Sequence, residues 1–225
     1  MAMERTLIDI RQMARQMLLL RKAQGLKTAL VLGSRAGGLA RSSVFSQTMH
    51  AFIDTSVQAT FSQYYHLFNR SDTPFGAMEL QALLRASLAH VSPDEADRCL
   101  ATLIMQGYFD PIITTNADTL LEQALSDAGW HDAHDFQVVN LVAEPEIQQI
   151  PTGSRSTVTL IKVFGELRVR NYLLTGRYSY INVHQNLTHI LRGILRQNCL
   201  FVGIDDTWDA ALLQALPAQG ESCWI

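Results

Sequence analysis

An α/β fold, with a parallel sheet covered by helices on both faces and a helical insertion, is predicted by two features of the sequence. Short apolar segments alternate with longer segments of helical periodicity, which is the pattern of strand–helix–strand units. The apolar segments are continuous rather than interrupted by polar residues, as expected for strands buried on both faces. Because 48% of the 225 residues are apolar, we expect one sizeable core and a single domain over 1–225.

An amphipathic helix opens the chain, since "ERTLIDIRQMARQMLLLRKAQG" carries charges throughout and is neither a signal peptide nor a membrane span. The apolar run "TALVLG" (28–33) predicts the first strand. Helical periodicity from about 45 to 107 predicts the insertion, whose last helix should have Ser92 as its N-cap and end at Gly107. Further strands are predicted at 111–114, 136–142, 156–165, 198–203 and in the final "SCWI", with helices at 118–128, 184–197 and 207–216.

Composition limits the partners and the location that we expect. The formal net charge is -3 and there is no long basic stripe, so nucleic acid is not an expected partner. The three cysteines are widely spaced without a CxxC pair, which predicts buried thiols of a cytoplasmic protein and no metal site. Because the last strand stops at Ile225 without a closing helix or polar tail, we expect a fragment of a longer protein with other domains.

Ligands of open parallel sheets collect where strands end and helices begin, and three turns of this kind stand out. In the first, "VLGSRAGGLARSS" (31–43), Gly33 would turn the chain sharply, while Gly37 and Gly38 would let backbone N–H groups approach an anion. The turn is either a phosphate site or an ordinary glycine turn. It is not a P-loop, because no Gly-Lys-Ser/Thr follows. A dehydrogenase is not indicated either, since Asp54, the acid with the right spacing, sits in a helical pattern.

The second turn, "ITTNADTLLEQAL" (113–125), follows a strand and begins a helix. Asn116 or Asp118 alone would be sufficient to cap that helix. The turn also offers Thr114 and Thr115, which is more polar side chains than closing a helix requires. A ligand site and a simple cap therefore both remain open.

The third turn, "CLFVGIDDTWDAAL" (199–212), runs from an apolar strand through a glycine to acids before a helix. Gly203 permits close approach of the backbone, and Asp205 or Asp206 could accept hydrogen bonds from ligand hydroxyl groups. The alternative is that Asp206 or Thr207 caps the helix.

The order of these turns, with "LIKVFGELRVRNYLLTGRYSY" between the second and third, resembles the sirtuin-like NAD-processing domains. The particular likeness is to the zinc-less branch found as effector modules in bacterial antiviral defence proteins. It covers about residues 26 to 225, with "ITTNADTLLE" as its best motif and "LFVGIDDTWD" second. The resemblance implies a Rossmann-like sheet that binds NAD across the strand ends, and a homo-oligomer as the active assembly. Because both CxxC pairs of the lysine deacylases are missing, it implies hydrolysis of NAD to nicotinamide and ADP-ribose.

The resemblance also assigns the cofactor-binding residues. Gly33, Ser34 and Ala36 would lie near the pyrophosphate. Gly203 and Ile204 would lie near the adenosine half, with Asp205 in the same site. Arg35 departs from the family pattern, which has a small side chain at this position. The arginine could bind phosphate as a bidentate hydrogen-bond donor, or it could fill the cavity.

The catalytic residues implied by the resemblance are Asn116, beside nicotinamide and its ribose, and Asp118, which supports that pocket together with Thr115. The transition state resembles an oxocarbenium ion, so a fixed amide dipole and a placed water would stabilise it. The resemblance also assigns Phe164 to the cofactor-binding residues. However, Phe164 occupies the position of the family's catalytic histidine, and phenylalanine cannot move a proton. The alternative function is therefore a catalytically inactive module that binds NAD or ADP-ribose or holds an assembly together.

Overall fold

The computed structural model describes residues 9–53, 63–64, 67–68, 76–141, 157–167, 189, 191–215 and 223–224. The strands of this part are β1 (Thr28–Leu32), β2 (Phe109–Thr114), β3 (Phe136–Asn140), β4 (Val158–Lys162), β5 (Cys199–Val202) and β6 (Cys223–Trp224). Its helices are α1 (Ile10–Gln24), α2 (Gly38–Arg41), α3 (Ser43–His50), α4 (Ala77–Leu88), α5 (Glu95–Met105), α6 (Leu120–Asp127) and α7 (Ala210–Ala215). Residues 63–64, 67–68, 189 and 191–194 are also helical.

The strands of the described part form one parallel sheet in the order β3-β4-β2-β1-β5-β6. The register aligns the carboxyl ends of the inner strands. Leu32 at the end of β1 lies opposite Thr114 of β2 and Val202 of β5, and Thr114 lies opposite Lys162 of β4. The turns that leave these four strands therefore begin at the same level of the sheet, which is where a ligand site was predicted.

Alternate side chains of the strands enter two separate apolar clusters, one on each face. In β1, Ala29 and Val31 pack with residues of α3, α4 and α7, whereas Leu30 and Leu32 pack with residues of α1, α5 and α6. This alternation follows from the two-residue period of a strand. The predicted α/β fold with helices on both faces is confirmed.

The predicted start of α5 at Ser92 is wrong by two residues. Asp94 is the N-cap: its carboxylate accepts a hydrogen bond from the N–H of Asp97 (3.1 Å), and the Asp97 carboxylate accepts one from the N–H of Asp94 (3.0 Å). This reciprocal capping box satisfies two N–H groups at once. The helix ends at Met105, and Gly107 follows with a φ of 76°.

The predicted insertion is represented by α3, α4 and α5, while 54–62, 65–66 and 69–75 lie outside the described residues. Of the cysteines predicted to be buried, Cys199 is buried but Cys99 is exposed. Cys99 precedes Ala101, a buried residue of α5, by two positions, and this spacing puts the two on opposite sides of a helix. The side chain of Cys223 lies outside the described residues.

Candidate functional site

The glycine-rich turn after β1 uses its own backbone donors within the protein. A single 3₁₀ turn, Ser34–Ala36, is followed directly by α2. All six N–H groups of residues 33–38 donate to acceptors in the chain, which are, in order, the Val202 carbonyl, the Asp209 carboxylate, the Gly203 carbonyl, the Gly33 carbonyl, the Ser34 carbonyl and the Asp118 carboxylate. A phosphate bound by this turn would therefore compete with two carboxylates of the same chain.

The turns after β1 and β5 are in direct contact, and we call this contact the turn junction (Gly33–Ala36 against Gly203–Asp209). Gly33 has an extended backbone (φ -82°), so the sharp turn predicted for it is not what requires glycine. It is required for space, since a Cβ there would lie 2.6 Å from the Gly203 carbonyl oxygen. Gly203 has a φ of 68°, and a Cβ there would lie 2.6 Å from the Ala36 nitrogen. Because neither glycine has a side chain, the backbones of the two turns can be in direct contact at this junction.

Asp209, which the sequence analysis did not select, lies at the centre of the turn junction. Its side chain is fully buried and accepts hydrogen bonds from the N–H and hydroxyl of Ser34, the hydroxyl of Thr115 (2.6 Å) and the N–H of Asp205 (2.8 Å). Burial raises the pKa of Asp209, and the hydrogen bonds from Thr115, Asp205 and Ser34 oppose that shift. One carboxylate thus joins all three turns.

Asp205 caps the third turn. This role was predicted for its neighbours Asp206 and Thr207 and not for Asp205 itself. One carboxylate oxygen accepts from the N–H groups of Thr207 (3.1 Å) and Trp208 (3.0 Å), and the other accepts from the Arg35 guanidinium (2.9 Å). Burial raises the pKa of Asp205, but the bonds from Trp208, Arg35 and Thr207 outweigh it, so the pKa lies below its usual value. Both oxygens of Asp205 therefore already have donors within the chain, including Arg35.

The second turn connects β2 to the first turn through side chains. The Asn116 amide donates from Nδ2 to the Gly33 carbonyl (3.1 Å) and packs directly against Gly37. One oxygen of Asp118 accepts from the N–H of Gly38 (2.7 Å), while the other accepts from the N–H of Leu120 (3.3 Å) at the start of α6. Thr119 is the N-cap residue of α6 but its side chain makes no capping bond. Asp118 instead supplies the acceptor at the start of α6, while Asn116 contacts the first turn.

A cavity of about 380 Å³ opens beside Asn116 on the face of the sheet covered by α5 and α6, and we call it the Asn116 cavity. Its floor consists of strand side chains such as Leu32 and Leu160, and its polar wall includes Arg41, Asn116 and Asp118. Of the predicted site residues, the described residues lining it include Ala36, Asn116 and Asp118. Others lie elsewhere, at the turn junction or in the core: Gly33, Ser34, Arg35, Thr115, Phe164, Gly203, Ile204 and Asp205.

A second cavity of about 380 Å³ lies between α4 and the start of α6. Arg85, Ala117, Asp118 and Leu167 contribute to its lining, so Asp118 borders both cavities. The guanidinium of Arg85 donates to the Leu167 carbonyl from Nε (3.0 Å) and from a terminal nitrogen (2.6 Å), so two lining residues of this cavity are joined directly.

Phe164, in the position where the resemblance implies a histidine, is a core residue. Its side chain is 1% exposed and belongs to the apolar cluster with Trp208 and Leu191. That cluster covers the face of the sheet opposite the Asn116 cavity. A phenyl ring in this environment contributes to folding by apolar burial, and it offers no group that transfers a proton.

A buried cation lies under the second turn, again at a residue that the sequence analysis did not select. Lys162 is 1% exposed, and its ammonium donates to the Asp118 carbonyl (2.5 Å). It also pairs with Glu122 (2.5 Å) and more distantly with Glu166 (3.7 Å). Burial raises the pKa of Glu122, and Lys162 opposes that rise. The available signal was a lysine inside the apolar run "TLIKVF", four residues before a glutamate.

Within the described ranges, no group of three or more His, Cys, Asp or Glu side chains is placed to hold a metal ion. Likewise, no helix among the described residues is long and apolar enough to cross a membrane. The chain matches no protein-family model and no curated protein. The likeness to sirtuin-like domains therefore rests on the motifs quoted above.

Proposed function

We propose that this chain is a sirtuin-like domain that binds NAD and hydrolyses it to nicotinamide and ADP-ribose, as an effector in bacterial antiviral defence. The observation that carries the proposal is the position of Asn116, which follows the carboxyl end of β2 and borders a cavity next to the first turn. Cavities of 300 Å³ and above at the carboxyl ends of parallel strands are the usual ligand sites of such folds.

Asn116 would contribute to catalysis through the electrostatic effect of its amide dipole. Its amide is held by the Gly33 carbonyl through Nδ2, so the dipole has a fixed direction before any ligand arrives. A fixed dipole beside the ribose would stabilise the positive charge that develops as nicotinamide leaves. Asp118, held by Gly38 and Leu120, would support the same wall of the cavity.

The experiment is to incubate the purified chain with NAD and to measure nicotinamide by chromatography, in the wild type and in Asn116→Ala. We expect nicotinamide release by the wild type and a loss of more than about tenfold in the variant, because removing one preorganised group typically costs that much or more. Asp127→Ala, at an exposed position at the end of α6 that does not line the Asn116 cavity, is the control and should release nicotinamide at the wild-type rate. Equal rates in Asn116→Ala and the wild type would remove Asn116 from the mechanism.

A second candidate function, a catalytically inactive module that binds NAD or ADP-ribose or holds an assembly together, is favoured by Phe164 in the core. Titration calorimetry with NAD and with ADP-ribose separates the two functions. Heat of binding without nicotinamide release, even at high protein concentration, would support the inactive binder. Absence of heat, together with an unchanged melting temperature, would contradict NAD binding and favour an assembly role.

A further inference from the structure

We propose that Lys162 is a positioning residue for the candidate site, because its ammonium fixes the turn that carries Asn116 and Asp118. The inference rests on the proposed function for its catalytic consequence, but the positioning itself is a property of the fold. Lys162 lies on β4, opposite Thr114, the last residue of β2 before that turn.

The contacts form a continuous path from Lys162 to the first turn. The ammonium donates to the main-chain carbonyl of Asp118, which fixes the backbone at the end of the turn. The Asp118 carboxylate then accepts from the N–H of Gly38 at the start of α2. At its other end, the same turn is fixed by the bond from Thr115 to Asp209. Lys162 and Asp209 thus hold the two ends of the segment that presents Asn116.

The position of Lys162 would ordinarily be filled by an apolar side chain. Leu160, two residues earlier on the same face of β4, is buried among apolar residues. A charged side chain at the next position carries a desolvation cost, which Glu122 and Glu166 offset by pairing with it. What an ammonium offers and a leucine lacks is a donor for the Asp118 carbonyl. This makes the hydrogen bond to the turn the distinctive contribution of Lys162.

The test compares two variants by amide hydrogen exchange, read residue by residue by NMR. Lys162→Met combined with Glu122→Gln removes the ion pair and the bond to Asp118 together, so no buried Glu122 carboxylate is left facing an apolar side chain. Glu122→Gln alone removes the pair but leaves the ammonium to donate to Asp118, and is the matched control. We expect the Gly38 amide to exchange about tenfold faster in the double variant and unchanged in the control.

The amide of Val31, in the centre of β1, is the internal reference and should exchange at the wild-type rate in both variants. Three results would overturn the proposal: unchanged exchange of Gly38 in the double variant, equal acceleration of Gly38 and Val31, or the same acceleration of Gly38 in Glu122→Gln alone. The second result would mean that Lys162 supports only global stability.

The kinetic constants kcat and KM with NAD distinguish positioning of the site from a purely structural role of Lys162. If the wild type releases nicotinamide, we expect the double variant to lose about tenfold or more in kcat with a smaller change in KM, because a displaced Asn116 acts on the transition state. An unchanged kcat would contradict positioning of the site. If the wild type releases no nicotinamide, the proposed activity fails, while the exchange of Gly38 still decides the role of Lys162.

Discussion

The turn junction and the Asn116 cavity are neighbours at the same edge of the sheet, yet one is closed and the other is open. At the junction, Gly33 and Gly203 bring two backbones into contact, and Asp209 accepts from donors of all three turns. At the cavity, Asn116 and Asp118 border about 380 Å³ of space above an apolar floor. The second turn separates the two regions.

The difference shows that the backbone N–H groups of a glycine-rich turn can all donate to acceptors of the protein itself. Glycine removes the side chain, but what then approaches the backbone is decided by the rest of the fold. In this chain the Gly203 carbonyl approaches Gly33, and the Asp118 carboxylate takes the N–H of Gly38. Anion-like groups of the protein itself occupy the donors that a phosphate would use. The open space lies on the other side of Asn116, in the Asn116 cavity.

The strongest test of the closed junction is Asp209→Ala. Its removal leaves the buried N–H groups of Ser34 and Asp205 without their carboxylate, and each lost partner costs about 1–3 kcal/mol. We expect the free energy of unfolding to fall by about 3 kcal/mol or more in urea denaturation. Asp206→Ala, an exposed neighbour, should change it by less than about 0.5 kcal/mol. Similar small losses in both variants would mean that the junction is not closed by Asp209.

A smaller difference, between two glycine variants, is expected when space at the junction is removed. Gly203→Ala combines the strain of a φ of 68° with an overlap against the Ala36 nitrogen. Gly25→Ala has nearly the same φ, 64°, with no atom within 4 Å of the added Cβ, so it isolates the strain of about 1–2 kcal/mol. We expect Gly203→Ala to lose about 1–3 kcal/mol more than Gly25→Ala in the same denaturation measurement. Equal losses would show that the two turns have room between them.

At the Asn116 cavity, the test is the contribution of Glu122 to the pH dependence of the unfolding free energy. Because burial raises its pKa in the folded protein, the folded state keeps the Glu122 proton at pH values where the unfolded state has lost it. The stabilisation from this proton is complete below the unfolded pKa of about 4.3 and is lost as pH rises through the folded value.

The unfolding free energy of the wild type, minus that of Glu122→Gln, should therefore decrease as pH rises from about 4. Denaturation at a series of pH values measures this difference. A difference that increases with pH would mean that Lys162 dominates over burial and lowers the Glu122 pKa.

The smallest effect is expected at the rim of the junction, for Arg35→Ala. The Arg35 side chain is 57% exposed, although its partner Asp205 is 2% exposed. Exposed ion pairs contribute about 0.2–1 kcal/mol, and the N–H groups of Thr207 and Trp208 still satisfy one of the two Asp205 oxygens. We expect a loss of at most about 1 kcal/mol in urea denaturation. A loss as large as that of Asp209→Ala would make Arg35 part of the closed centre.

The strands and the fold could be predicted because their signals are local. The run "TALVLG" is apolar at every position, and it forms β1 with all five residues buried. The polar turn 114–118 was also visible, since it offers more polar groups than one helix cap needs. The start of α5 was misplaced because Ser92 and Asp94 are both good caps and each has an acid three residues later, Glu95 and Asp97. The structure forms the reciprocal bonds at Asp94.

The contacts that close the junction could not be predicted, because they join residues remote in sequence. Asp209 lies 175 residues from Ser34 and 94 from Thr115, and its local setting is that of a helix start. The partners of Lys162 depend on the alignment of β2 with β4, which places Thr114 opposite it. Neither the residue types nor their spacing contain this register, which arises only when the sheet assembles.

The long separation between Ser34 and Asp209 also bears on how the protein is made. Ser34 leaves the ribosome 175 residues before its acceptor does, so the segment after β1 is synthesised well before the carboxylate that accepts its hydrogen bonds. Contacts this distant in sequence form late and slow the folding reaction. A nascent chain that stops short of Asp209 has β1 to β5 but not the carboxylate that links the turns after them.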